Sequence, residues 1–290
     1  MPKTHPLSIA CETHGLAGNL VLPDKVSAEA PAIGAIFPGG PGPAPEQRYT
    51  PEGAKRWPVL WSESFGGAGL AALCYDQRGS GLSTGTYHEA DFEDLYEDAR
   101  AAAEMLKVQP EVSKTAAVAW GEGCAFALRL AAEGLVQALV LMAPAYHTEA
   151  ERYAASIRAL AAKKGLSDRV VQVRVGQWQA EMAEIARQVE QGQITAETDL
   201  SGTRVTINRK RFLQNAAFDP AQWAAKVKVP ALILHGSDDA VILPGESEAL
   251  AEAWQGPVHR IVYKGQAHFL YRHAPAMRDA AAWLKQTLGA

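Results

Sequence analysis

Asp239 and His268 are the residues whose types and order could move a proton. Asp239 closes Leu234-His235-Gly236-Ser237-Asp238-Asp239, just beyond the short apolar run Ala231 to His235. An acid at the carboxyl end of a parallel strand sits at the mouth of a sheet, where open α/β folds bind ligands. Asp239 is preferred to Asp238 because it lies three residues after Gly236. His268 lies in Gly265-Gln266-Ala267-His268-Phe269, between the run Arg260 to Tyr263 and a helical pattern from Pro275 to Leu288. A buried carboxylate can fix the imidazole tautomer, and the imidazole can then take a proton from a nucleophile. Turn chemistry alone would explain an Asp beside Gly, and loop packing a single His. The joint order, acid then histidine after an earlier strand-to-helix turn, carries the assignment.

That earlier turn is Trp120-Gly121-Glu122-Gly123, between the apolar run Thr115 to Ala119 and the helically spaced Cys124 to Ala131. A strand reversing directly into a helix is the frame of the nucleophile elbow, G-x-S-x-G. Gly121 occupies the nucleophile position in the register that ends the strand at Ala119. Placing Gly123 there would leave two extra residues between strand and nucleophile. The elbow holds its central residue at positive φ, which glycine adopts without steric cost. Serine-to-glycine replacement keeps such a turn and deletes the attacking oxygen. Cys124, three residues on, points into helix packing and reads as a small buried hydrophobe.

The elements that must position these residues alternate. Residues 7–22 read as an antiparallel hairpin, and Ala32 to Phe37, Leu70 to Tyr75 and Ala138 to Met142 as buried strands. Residues 51–66 read as a helix opening at Pro51 and interrupted near Pro58. Residues 91–107 form an amphipathic helix with Phe92, Leu95, Ala99, Ala102 and Leu106 on one face. The rhythm predicts an α/β fold, a mostly parallel sheet with helices on both faces. It breaks at about 147–217, where helices at 148–163 and 177–191 precede a polar, glycine-interrupted stretch. Residues 147–217 are expected to be a mostly helical lid inserted into a core of residues 1–146 and 218–290. Within it, Val170, Val171, Val173 and Val175 could form a strand. Trp178 and Met182, with Tyr146 ahead of them, are candidate substrate contacts, although core packing explains the same stripe.

The 290 residues are 48% hydrophobic and 21% charged, with a net charge of −4. That balance gives no electrostatic case for nucleic acid or an anionic membrane. Cys11, Cys74 and Cys124 are odd in number and widely spaced, so neither a disulfide framework nor a zinc cluster is expected. No run approaches membrane-spanning length and no signal-like start is present, so a cytoplasmic protein without metal or cofactor is expected. His5, His14, His88, His147, His235, His259 and His273 have no context comparable to that of His268 and are expected in surface or packing roles.

The chain resembles the α/β-hydrolases over nearly its full length outside the lid. Pro38-Gly39-Gly40-Pro41-Gly42 is similar to the HGGPG loop of proline iminopeptidase-like members, with Pro38 in place of histidine. Asp76-Gln77-Arg78-Gly79-Ser80-Gly81-Leu82-Ser83 matches their D-x-R-G-x-G-x-S segment, and Glu122-Gly123 resembles the GHSEG elbow of lid-bearing bacterial esterases. The resemblance implies an oxyanion hole from the backbone N–H of Glu122 and of Gly39 or Gly40, and a bracing role for Asp76 to Ser83. Pro41 has no N–H to contribute. It also implies a serine-hydrolase scaffold for a small or medium carboxylic ester, working through an acyl-enzyme, with its nucleophile replaced at Gly121. The alternatives are an aminopeptidase or amidase of the proline iminopeptidase type, a non-catalytic ligand-binding member, and proton abstraction by His268 without a nucleophile. The tilt to esters rests on the lack of an evident acidic cluster in the lid that would hold a free amine.

Overall fold

Short apolar runs become strands here because side chains alternate across a pleat and both faces must be buried. The computed structural model describes residues 1–40, 53–200 and 203–289. Its strands are β1 (Lys3–Ala10), β2 (Gly15–Leu22), β3 (Ala32–Ile36), β4 (Ala71–Tyr75), β5 (Val112–Trp120), β6 (Ala138–Met142), β7 (Thr195–Leu200), β8 (Thr203–Asn208), β9 (Ala231–Gly236) and β10 (Val258–Tyr263). Eight of them form one sheet in the order β1-β2-β4-β3-β5-β6-β9-β10. β1 pairs antiparallel with β2, and β2 with β4; every later pairing in this sheet is parallel.

The helices are α1 (Trp57–Gly67), α2 (Phe92–Lys107), α3 (Gly123–Ala132), α4 (Glu149–Lys164), α5 (Asp168–Glu190), α6 (Arg209–Ala217), α7 (Pro220–Ala224), α8 (Pro244–Ala253) and α9 (Ala274–Leu288). Central strand β5 shows how the two layers are built. Ala116 and Val118 face a core holding Trp61 and Phe65 of α1 and Leu284 of α9. Ala117 and Ala119 face the opposite core, with Leu95 of α2, Phe126 of α3 and Leu250 of α8. Small residues on both sides of β5 let the helices sit close to the strand that carries the elbow.

The amphipathic reading of α2 holds: Phe92, Leu95, Ala99, Ala102 and Leu106 are all buried. A capping box starts the helix. Asp91 Oδ1 accepts from Asp94 N at 3.0 Å, and Asp91 N donates to Asp94 Oδ2 at 2.9 Å. Such caps stabilise a helix by about 1 kcal/mol. The same helix carries Asp98, fully buried, which accepts from Arg78 Nη2 at 2.7 Å and Nε at 2.9 Å and lies 2.8 Å from His14 Nε2. Cys11, His14 and Asp98 bring metal-donor types within 4.8 Å of one another. The Arg78 guanidinium already engages both Asp98 oxygens, and the ion pair accounts for the cluster. Asp98→Ala leaves a mostly buried guanidinium uncompensated and is expected to cost about 3–5 kcal/mol in urea unfolding. A loss under 1 kcal/mol would remove this pair from the account of stability.

Two sequence expectations need correction. The helix expected over 51–66 begins at Trp57, and Pro58 sits in its first turn, where a missing N–H costs nothing; residues 51 and 52 lie outside the described residues. Val170, Val171, Val173 and Val175 are helical within α5, their spacing putting Val171 and Val175 on its inner face. The polar stretch after Gly192, to which the sequence assigned no element, holds β7 and β8, paired as an antiparallel hairpin separate from the main sheet.

The segment from α4 to α6 contributes no strand to the main sheet. Its return end is fastened to the core. Buried Asn208 Nδ2 donates to the carbonyls of His88, Glu89 and Ala90 at 3.0–3.2 Å, while its Oδ1 accepts from Arg211 N and caps α6. Arg211 Nη1 donates to the carbonyls of Tyr87 and Ala90 at 2.9 and 3.0 Å. These bonds fix where α6 holds Asn215. Among the described residues no helix is long and apolar enough to cross a membrane.

Candidate active site

β5 ends at Trp120 and α3 begins at Gly123, so only Gly121 and Glu122 make the turn. Gly121 has φ +55° and donates its N–H to Met142 O at 2.9 Å. A Cβ built on Gly121 would find His268 Nε2 as its nearest neighbour, at 3.6 Å. The elbow thus aims residue 121 at the imidazole, with open space where a side chain would begin.

On the far side of that ring, His268 Nδ1 lies 2.8 Å from Asp239 Oδ2. The carboxylate accepts there, which puts the proton on Nδ1 and leaves Nε2 as the acceptor facing residue 121. Asp239 is 3% exposed, and its Oδ1 accepts from Val241 N at 2.8 Å and Ile242 N at 3.0 Å. Burial alone would raise its carboxyl. Hydrogen bonds from His235, His268 and the backbone of Ile242 and Val241 overcome it and hold the group well below the usual carboxylate range. Asp238, the weaker candidate, instead accepts from Ser237 Oγ in an exposed turn.

His235 takes the packing role expected of it, but against Asp239. It is fully buried, with Nε2 at 2.8 Å from Ile242 O and 3.2 Å from Asp239 Oδ2. It packs directly against the acid, which its place at the end of a strand did not reveal. Trp120 was also missed. Its Nε1 donates to His268 O at 2.9 Å, and the two rings lie 5.0 Å apart, fixing the loop that carries the histidine.

The oxyanion candidates fall on the cavity wall beside Gly121. Among the described residues neither Glu122 N–H nor Gly40 N–H has a hydrogen-bond partner. Gly40 abuts the elbow: a Cβ there would come within 3.1 Å of Gly123 N and 3.3 Å of Glu122 Cβ. Gly39 packs on the Gln77 side chain. Buried Gln77 donates from Nε2 to Gly40 O at 3.1 Å, so the segment after β4 orients the loop after β3. Asp76 adds to the same brace, its carbonyl accepting from Ser83 Oγ and its Oδ2 from Leu82 N at 3.2 Å. Pro41 and Gly42 of that loop lie outside the described residues. Cys124 is 3% exposed, and burial pushes its thiol well above the usual range, the opposite of the shift that activates a thiol nucleophile.

The cavity is about 520 Å³, room for a small or medium ligand. Trp57, Trp120, Leu128, Phe218 and Ile242 give it apolar walls. Polar groups reach it from the inserted segment and the elbow: His147, Glu149, Arg152, Asn215 and Glu122. Solvent in the cavity touches the Glu122 side chain, but the protein around it and the Glu149 charge raise its carboxyl, and Asn215 Nδ2 donates to it at 3.1 Å. Glu246 accepts from the backbone N–H of Tyr146 and His147 and lies 3.0 Å from His147 Nδ1, holding the wall that follows β6. Ala143, the residue leading into that wall, is itself left-handed at φ +47°.

Trp178, Met182 and Tyr146 are not among the residues lining this cavity. α5 packs on α4 and α6, and those two helices supply the lining side chains. Trp178 stacks on Tyr153 of α4 at 5.5 Å, and Tyr146 packs against the apolar layer under the loop. Conversely, Glu149 and Glu122 bring two carboxyl groups to the cavity where the sequence showed no acidic cluster.

A mostly parallel eight-stranded sheet flanked by helices, with elbow, acid and histidine at its carboxyl ends, defines an α/β-hydrolase. The chain belongs to the serine aminopeptidase, S33, family, whose model matches residues 61–273. No curated protein matches it. Among solved structures it is similar to Est1E from Butyrivibrio proteoclasticus with ferulic acid bound, with a TM-score of 0.68 and 17% identity over 98% of this chain and 100% of that one. A hypothetical protein from Pseudomonas aeruginosa gives 0.72 at 16% identity, covering 99% and 94%. A dienelactone hydrolase from Anabaena variabilis gives 0.58 at 17%, covering 99% and 97%. At these identities the likeness is one of fold.

Proposed function

We propose that this chain is an ester-type acyl-transfer site for a small or medium carboxylic ester, with Gly121 standing at the nucleophile position. One observation carries this: the point where a Cβ would sit on residue 121 is 3.6 Å from the imidazole nitrogen whose partner nitrogen is held by Asp239. A hydroxyl one bond beyond that Cβ comes within hydrogen-bond reach of Nε2. It could lose its proton there while attacking a carbonyl, whose developing oxyanion meets the N–H groups of Glu122 and Gly40. Residues 147–217 act as the lid, supplying Glu149, Arg152 and Asn215 to the cavity.

With glycine at 121 no acyl-enzyme forms. What is left is His268 acting as general base on water, with the backbone donors stabilising the tetrahedral intermediate. That route is far slower than the serine route, because removing one member of a relay leaves only binding and oxyanion contributions. A purely ligand-binding role has the missing oxygen in its favour. Restoring serine and assaying short-chain nitrophenyl esters against aminoacyl anilides separates these possibilities. Serine-dependent ester turnover supports acyl transfer, anilide turnover moves the substrate class to peptides, and silence with retained ligand binding leaves the binding role.

In the Gly121→Ser background, Gln77→Leu is expected to lower kcat by about 10²-fold with little change in KM. It removes the bond that orients Gly40, and displacement by about 1 Å costs that much. A loss confined to KM would assign Gln77 to substrate binding instead.

A further inference from the structure

Among the described residues the Arg152 charge acts on Glu122, lowering its carboxyl, without an ion pair between them. Arg152 lies in the first turns of α4 and lines the cavity that also holds Gly121 and His268. Among the described residues its buried Nε has no hydrogen-bond partner. Glu149, three residues earlier and on the same helical face, shares the cavity wall with Arg152 but forms no ion pair with it among the described residues. Glu122, the other carboxyl in the cavity, is bonded by Asn215 and pushed toward its neutral form. Other arginines do pair with carboxylates, among them Arg78 with Asp98, Arg100 with Glu97, Arg129 with Glu93 and Arg187 with Glu184.

Guanidinium is a planar fork of five donors that matches a carboxylate with two parallel bonds. Trp57, Trp120, Leu128, Phe218 and Ile242 make the apolar part of the wall, suited to a short hydrocarbon chain. We infer that Arg152 anchors a carboxylate carried by the substrate, so that the cavity takes an ester bearing a second, ionised acid group with its scissile carbonyl toward residue 121. This rests on the acyl-transfer proposal for the orientation of the ester, not for the anchoring itself.

Because the native chain lacks the nucleophile, an intact ester can be titrated into it. Calorimetry would compare monomethyl adipate with its terminal carboxamide analogue, the same length without the charge. The acid is expected to bind at least about tenfold more tightly, as a charge-assisted bidentate pair would give. Arg152→Gln should abolish the preference while leaving the carboxamide unaffected, and Arg152→Lys should keep part of it. Glu149→Gln, which removes a competing negative charge, should strengthen binding of the acid, a gain that a misfolded variant cannot mimic. Equal affinities in the native chain, no measurable binding of either ester, or an undiminished preference in Arg152→Gln would each overturn the anchor. If Gly121→Ser fails to hydrolyse esters while the preference stands, acyl transfer is lost and the anion subsite survives. Serine-dependent turnover with no preference gives the reverse.

Discussion

Gly121→Ser is expected to raise hydrolysis of a short nitrophenyl ester by about 10³- to 10⁶-fold over the native chain, with a burst of nitrophenol in the first turnover. The range follows from what a serine nucleophile contributes in relays of this kind. No rearrangement is needed: among the described residues only the His268 ring lies within 4 Å of the added Cβ, with Nε2 at 3.6 Å ready to take the proton. The side chain costs stability. A non-glycine residue at φ +55° carries strain of about 1–3 kcal/mol, so the variant should melt below the native chain while gaining activity. Rise of one and fall of the other is the signature to look for. A variant that folds, binds ester and shows neither burst nor turnover would falsify the acyl-transfer proposal.

Asp239→Asn in the serine-restored chain is the second large effect, about a 10⁴-fold fall in kcat. An amide facing Nδ1 offers no charge to the imidazolium and can present its NH₂, which selects the wrong tautomer. In the native chain the same carboxylate governs acid stability. Its folded pKa lies below the value of about 3.9 expected when unfolded. The unfolded state therefore takes up the proton first as pH drops, and unfolding is favoured. Asp239 contributes fully above about pH 5 and loses its contribution progressively below about pH 4. Denaturant midpoints from pH 6 to pH 3 should fall more steeply for the native chain than for Asp239→Asn. Parallel slopes would show that another carboxylate controls the transition.

The α/β rhythm was legible because buried strands such as Ala138–Met142 and Ala231–Gly236 are short apolar runs, and α2 repeats its apolar face at helical spacing. The elbow was legible for a different reason. A positive φ squeezed between strand and helix restricts residue types, and Gly121 with Gly123 satisfies that restriction in plain view. His235 was opaque, since a histidine at a strand end looks the same whether it caps a turn or touches a carboxylate. The cavity wall was misjudged. An amphipathic stripe announces that Trp178 and Met182 are covered, and says nothing about which neighbour covers them; α4 and α6 do so, and carry the lining residues themselves.

Local physics, then, was enough to specify the strand-turn-helix at Gly121, the acid after one strand and the histidine after the next, because backbone conformation and periodicity are written within a dozen residues. What only the tertiary structure decided was convergence: Asp239 on His268, His268 on Gly121, Gln77 on the loop of Gly40, and Arg152 beside Glu122 over the same cavity. Those meetings depend on sheet order and on how Asn208 and Arg211 fasten the inserted segment. Contacts between residues far apart in the chain are set by packing, which no short window of sequence encodes.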